Sequence, residues 1–184
     1  LRALADGRLS GVSGFYLSAL GLVEDLVRQR GQGGINDVLR AMGHERVVLP
    51  AAIRPLDPTH KLAGPVWTAS GHIDRTQSAH DTLLGWTGLL SKAPPGRVIV
   101  CQPQNHEVAL MGELSAETLK NKGVLGYVVD GGCRDTEFIL KIGFPVFFSF
   151  YTPSDIVSRS LAAASPGRRR MPTPRRCRKI SLPR

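Results

Sequence analysis

The sequence predicts an α/β fold built on a parallel sheet, and three observations carry that prediction. Short apolar runs of strand length stand at Val98 to Gln102, Leu125 to Asp130 and Pro145 to Phe150, helix-length segments separate them, and glycine or proline turns punctuate the intervals. Strands spaced in this way join through right-handed crossovers.

The elements follow in chain order. Phe15 to Arg30 has Leu22 and Leu26 on one helical face and meets Gly31-Gln32-Gly33-Gly34, so it predicts a helix with a glycine stop. Asn36 to Met42 predicts a second, short helix, and Gly64 to Ser70 a strand. Ser78 is a candidate N-cap for a helix whose apolar face is Ala79, Leu83, Trp86 and Leu90. Pro94-Pro95-Gly96 then turns the chain. Met111-Gly112-Glu113-Leu114 opens another helix that Gly123 can end, and Gly131-Gly132-Cys133 reads as a tight loop after the Leu125 to Asp130 strand.

That loop delivers Arg134 and Asp135, with twenty residues between Glu113 and Arg134. Ligand sites in parallel sheets lie beyond the carboxyl ends of the strands, which is where 130–135 falls. Two carboxylates and a guanidinium around one pocket suit metal-assisted chemistry on a small keto-acid. When a bond beside a carbonyl breaks to leave an enolate, charge grows on oxygen, and a divalent cation with a fixed arginine stabilises it. Asp135 is the candidate metal ligand and Arg134 the group facing the oxygen. A hard ion such as Mg²⁺ keeps several waters, so Glu113 can act as a second carboxylate through water. The N–H groups of Leu114, Ser115 and Ala116 at the helix start offer an anion site for a substrate carboxylate.

Each residue also has an ordinary explanation. An Arg-Asp pair after a glycine loop is commonly a helix cap beside a solvated cation, and a glutamate in a first turn compensates the helix dipole. The combination weighs more than its parts, because Gly-Glu-Leu, the intervening strand and Gly-Gly-Cys-Arg-Asp together resemble the RraA-like family. This family contains the regulator of ribonuclease activity A and the 4-hydroxy-4-methyl-2-oxoglutarate aldolases. Ile35-Asn36-Asp37-Val38-Leu39, Ile53-Arg54-Pro55-Leu56 and Leu62-Ala63-Gly64-Pro65-Val66 with Thr68 are similar to its N-terminal half in the same order, and the likeness covers Ile35 to Arg159.

The resemblance implies a three-layer β/β/α sandwich of the swivelling-domain type, assembled as trimers or dimers of trimers with sites near subunit contacts. It implies that Asp135 binds Mg²⁺, Mn²⁺ or another divalent cation, that Arg134 binds the pyruvyl group, and that Glu113 orients a metal-bound water that shuttles the proton. The implied activity is cleavage of a 4-hydroxy-2-oxo acid to pyruvate, with oxaloacetate decarboxylation sharing the same enolate. The alternative within the family is a non-catalytic protein that binds and regulates an RNA-processing enzyme; shared fold does not decide between them.

Composition bounds the rest. A chain of 184 residues with 42% hydrophobic content can build one sizeable core. The organisation expected is an N-terminal helical segment over 1–34, the family domain over 35–160, and a basic tail over 161–184. Eight of the 24 Lys and Arg residues lie in that tail with no acid, so the net charge of +9 belongs mostly to it and the body is near neutral. Its Pro-Thr-Pro and Leu-Pro steps and lack of apolar period predict disorder, and its clustered arginines suit nonspecific binding to nucleic acid or an acidic surface. Family members typically continue past Tyr151-Thr152-Pro153 with further strands and a final helix. Nothing after about Ser160 has that pattern, which gives the expectation that the chain is truncated or out of frame there.

Cys101, Cys133 and Cys177 form no disulfide framework or zinc spacing, which fits a reducing cytoplasm. The apolar run Phe15 to Val23 is too short to span a bilayer and lacks the leader of a signal peptide. His72, His80 and His106 are scattered and are read as surface residues. His106-Glu107 lies near the candidate site in sequence. Trp67 and Trp86 are read as core residues, and Cys133 as a small buried loop residue rather than a nucleophile.

Overall fold

The computed structural model describes residues 34–44, 47–158 and 160–164. The predicted helix at Phe15 to Arg30 and the basic stretch beyond 164, with Cys177, lie outside these residues. A helix over 34–41 (α1) agrees with the short helix expected there.

Strands Arg54–Pro55 (β1), Val66–Ile73 (β2), Val98–Gln102 (β3), Gly126–Val129 (β4), Val146–Phe148 (β6) and Ser160–Ala164 (β8) form one sheet in the order β1-β6-β4-β3-β2-β8. The four central strands β2, β3, β4 and β6 run parallel, with Val98 registered against Val66 and Gly126. The edges β1 and β8 are antiparallel. Gly132–Cys133 (β5) and Phe150–Tyr151 (β7) pair in parallel as a second, small sheet, extended by a bridge from Ala109 to Gly132. Helices Ala79–Lys92 (α2), Glu113–Asn121 (α3) and Thr136–Ile142 (α4) supply the remaining layer, giving the expected α/β fold in its β/β/α form.

The second sheet arises because the parallel strands bend rather than stop. β4 passes through Asp130-Gly131 into β5, and β6 passes through Ser149 into β7, so neighbours in the first sheet stay neighbours in the second. Asp130 ties these bends together: its carboxylate accepts from the Ser149 hydroxyl at 3.0 Å and from the Gln102 side-chain amide at 3.3 Å, while Ser149 N–H donates to the Gly131 carbonyl at 3.0 Å. Gly131-Gly132-Cys133, expected as a loop, is therefore a bend followed by a strand. A two-residue strand carries no periodic signal, and long-range pairing alone creates it.

Local chemistry explains the helices. Ser78 caps α2, its hydroxyl oxygen accepting from Asp81 N–H at 3.1 Å, and Pro94-Pro95 follows the helix end. The buried stripe of α2 is Thr82, Trp86, Leu89 and Leu90: Trp86 and Leu90 are buried as expected, whereas Ala79 and Leu83 are exposed. Gly123 ends α3 at φ +75°, a left-handed conformation that glycine adopts without the strain of a Cβ. Between sheet and helices lies a largely apolar core in which Ile99, Tyr127, Val129, Leu119 and Ile139 are fully buried. Trp86 belongs to that core and Trp67 packs against it, as expected.

One expectation fails at the C-terminal side. Ser160–Ala164 crosses the predicted boundary of the tail as a strand hydrogen-bonded along β2, with Ala69 opposite Ala164. Ser-Leu-Ala-Ala-Ala has neither alternation nor β-branched residues, so only the open edge of β2 makes it a strand. No helix among the described residues is long and apolar enough to cross a membrane.

Candidate active site

Backbone pairing brings the two ends of the motif together. Leu110 N–H donates to the Gly132 carbonyl at 3.0 Å and Arg134 N–H to the Met111 carbonyl at 2.9 Å, so the chain entering α3 runs beside β5 and the turn into α4. Gly112, the N-cap of α3, then faces Arg134 and Asp135 directly. A Cβ at Gly112 would lie 2.8 Å from Asp135 Oδ2 and 3.0 Å from Arg134 Cγ, so this approach needs glycine.

Asp135 stands at the N-cap position of α4 but does not cap it. Its side chain makes no bond to the first turn, and its backbone is left-handed at φ +52° and ψ +37°. A non-glycine residue there stores about 1–2 kcal/mol of strain. The carboxylate instead turns back, Oδ2 accepting from Glu113 N–H at 3.2 Å and lying 3.3 Å from Arg134 Nε. Arg134 is also drawn the other way, its Nη1 3.7 Å from Asp155 Oδ2. Arg134 and Asp135 side chains are 39% and 40% exposed, held by neighbours yet open to a ligand.

Arg134 stands between two recesses. On one side a cleft of about 240 Å³ is bounded by Glu113, Ser115, Asp155 and the apolar side chains of α2; on the other a shallower depression runs from Asp135 and Thr136 to Tyr151-Thr152-Pro153. The anion site is narrower than expected. Ala116 N–H donates to the Gly112 carbonyl at 3.0 Å as the first bond of the helix, so only Leu114 and Ser115 remain from the predicted trio of amides. Ser115 is fixed by Trp86, whose indole N–H donates to its hydroxyl oxygen at 2.9 Å.

Among the described residues no group of three or more His, Cys, Asp or Glu side chains could hold a metal by itself. Asp135 offers one accessible carboxylate, a donor that suits a hard divalent ion whose other ligands are water and substrate oxygens, while Glu113 meets it through its backbone N–H.

Asp155 is the neighbour of Arg134 that sequence reasoning missed. It sits in the turn after Thr152-Pro153-Ser154, where its Oδ1 accepts from Val157 N–H at 3.1 Å, a pattern that signals a turn but not a partner. Other conspicuous residues fall away from the corner. Glu107 pairs with Arg75 at 2.6 Å, and His72, His80 and His106 are exposed and dispersed. Cys133 is fully buried, and burial first, then the charge of Asp135, pushes its thiol up to about 12. It lies on β5 rather than in a loop, but it is no nucleophile near neutral pH.

A β/β/α fold with an acid, a strand and Arg-Asp brought together at the strand ends defines a class, and the comparisons agree with it. The chain belongs to the RraA-like family (Aldolase/RraA), whose family model matches residues 33–165. The family includes both aldolases and inhibitors of ribonucleases. A Halalkalibacterium halodurans protein provisionally named 4-hydroxy-4-methyl-2-oxoglutarate aldolase is 30% identical over 100 residues, 54% of this chain and 44% of that protein. Protein DlpA of Legionella pneumophila is 30% identical over 114 residues, 61% of this chain and 18% of that protein. The chain thus spans less than half the length of either relative. Among solved structures, Streptomyces coelicolor RraAS2, described as an unusual member of the RNase ES inhibitor RraA family, is similar at 27% identity and a TM-score of 0.57, covering 70% of this chain and 63% of that one.

Proposed function

We propose that the chain is a divalent-metal-dependent lyase that cleaves 4-hydroxy-2-oxo acids to pyruvate, with Glu113, Arg134 and Asp135 as its working residues. One observation carries this reading: Asp135 holds a strained backbone and forgoes its capping bond, and its carboxylate meets Arg134 and Glu113 at a glycine that admits no side chain. Strain of this kind persists where an arrangement of side chains requires it.

Asp135, with Glu113 through water, would hold the Mg²⁺ or Mn²⁺. That ion, when bound, supplies a positive charge that stabilises the developing enolate oxygen. Arg134 binds the 2-oxo acid end and faces the same oxygen with its guanidinium N–H groups. The amides of Leu114 and Ser115 take the substrate carboxylate at the helix start. Glu113 accepts the 4-hydroxyl proton through water as the C3–C4 bond breaks. The electron pair passes to C3 and the 2-oxo oxygen, a carbonyl forms at C4, and C3 is then protonated to give pyruvate. Loss of carbon dioxide from oxaloacetate leaves the same enolate and would need the same groups.

The likeness to the Streptomyces protein supports a second reading, a non-catalytic member that binds and regulates an RNA-processing enzyme. A trimer, or a dimer of trimers, with sites near subunit contacts goes with either reading, and sedimentation velocity tests it. A reducing cytoplasmic location is supported by Cys101 and Cys133 being free, buried thiols. The deciding experiment is pyruvate release from a panel of 4-hydroxy-2-oxo acids and from oxaloacetate, with Mg²⁺ and with EDTA, for the wild type and Asp135→Ala. Metal-dependent release that Asp135→Ala loses is the result expected. No release from any substrate by folded, metal-supplied protein would favour the regulator.

A further inference from the structure

Two carboxylates hold Arg134 at two different points of its guanidinium. Asp135 Oδ2 lies 3.3 Å from Nε, and Asp155 Oδ2 lies 3.7 Å from Nη1. Asp135 borders the shallower depression, Asp155 borders the cleft, and Arg134 borders both. We propose that Asp155 is a positioning residue for the reaction: it fixes the plane of the Arg134 guanidinium and acts only through that side chain. This rests on the lyase reading and adds to it a third carboxylate with a role distinct from those of Glu113 and Asp135.

The need for a second anchor follows from the shape of arginine. A guanidinium is a rigid planar fork on a long, rotatable stem, and its N–H groups point in fixed directions within one plane. A contact at Nε alone leaves that plane free to swing. A second contact at Nη1 removes the swing, so the remaining N–H groups are presented at one angle. Asp155 can act in this way because it is itself fixed. Its Oδ1 accepts from Val157 N–H at 3.1 Å, and its Oδ2 is the oxygen that faces Arg134. The turn that carries it is tied to the chain around the site: Thr152 N–H donates to the Cys133 carbonyl at 3.2 Å, and Ala109 N–H to the Ser154 carbonyl at 2.7 Å. Asp155 is therefore registered against β5, which delivers Arg134, and against the chain that enters α3. Stability gives no reason for the pair. The two side chains are 39% and 45% exposed, and an ion pair so open to solvent and longer than a hydrogen bond adds little to folding. Orientation does give a reason, because a donor aimed beforehand at the place where charge develops needs no rearrangement during the reaction.

The test is a double-mutant cycle on the full chain with Mg²⁺, comparing the wild type, Asp155→Asn, Arg134→Ala and the double variant. Exchange of the pyruvate methyl protons in D₂O, followed by NMR over a range of pyruvate concentrations, reads the enolate chemistry. Urea midpoints are measured alongside. Asparagine keeps an oxygen for Val157 N–H and removes only the charge. The expected result for Asp155→Asn is a maximal exchange rate lower by about 10–10²-fold, with the half-saturating pyruvate concentration and the urea midpoint unchanged. Saturation holds because attraction between an anion and a cation tolerates a change of angle, whereas donation to the enolate oxygen does not. In the Arg134→Ala background the same substitution is expected to change nothing further, since Asp155 has no side chain left to position. An Asp155→Asn protein that exchanges as fast as the wild type would overturn the inference. So would a loss that recurs undiminished without Arg134, or one matched by a lower urea midpoint, which would make Asp155 a residue of the turn. Each of these leaves the lyase reading standing. Neither exchange nor pyruvate release by folded wild type with Mg²⁺ would overturn the two together.

Discussion

Asp130 and Asp135 lie five residues apart on the same excursion of chain and have opposite circumstances. Asp130 is satisfied: its two oxygens accept from Ser149 and Gln102, and it fastens the bends where the parallel strands leave one sheet for the next. Asp135 is strained, partly exposed and unused as a cap, and its nearest groups are a guanidinium and the backbone of a glutamate. A carboxylate whose bonds all serve the fold is structural. One held at a conformational cost beside a cation and a helix start is where chemistry is to be sought.

The contrast can be broken from either side, and the largest effect is expected at the corner. Arg134→Ala should lower kcat/KM for pyruvate release by about 10²–10³-fold, the usual cost of removing one donor to a developing oxyanion, with the urea midpoint little changed. Leu119→Ala, in the core beneath, should do the reverse, costing about 2–5 kcal/mol of stability in urea unfolding while kcat of the folded fraction holds. Gly112→Ala sharpens the comparison, because its methyl group would sit 2.8 Å from Asp135 Oδ2 and displace the carboxylate without touching the core. A loss of about 10²-fold in kcat is expected, in line with an ångström-scale misplacement. Asp130→Ala should destabilise by about 1–3 kcal/mol, since it strands the Ser149 and Gln102 donors, and should affect activity only as far as the bends loosen.

The smallest effect is a slope with pH. Burial raises the Cys133 thiol from 9.0 to about 12, so between these values the unfolded chain gives up a proton that the folded chain keeps. Stability is therefore complete below about pH 9 and declines above it. Urea midpoints measured at about pH 8 and about pH 10 should differ, and Cys133→Ala should reduce the difference.

Much of this was legible in the sequence, for physical reasons that differ by element. β3 and the body of β4 were plain because strands buried on both faces must be continuously apolar, and Ser78 was plain because capping is local chemistry. Glu113, Arg134 and Asp135 stood out through resemblance and spacing. What escaped depends on distant partners. The small second sheet exists only because β5 and β7 find each other after their bends, and β8 only because β2 leaves an edge open. Asp155 escaped for the same reason: only folding sets it near Arg134.

The most direct test of the central claim is pyruvate release by Asp135→Gly against the wild type. Glycine relieves the left-handed backbone while deleting the carboxylate, and these opposing changes should leave stability within about 1 kcal/mol. The account predicts a stably folded protein whose metal-dependent release falls to background. A variant that keeps activity within about tenfold of the wild type would contradict it, and Asp135 would then be a misplaced cap rather than the centre of the site.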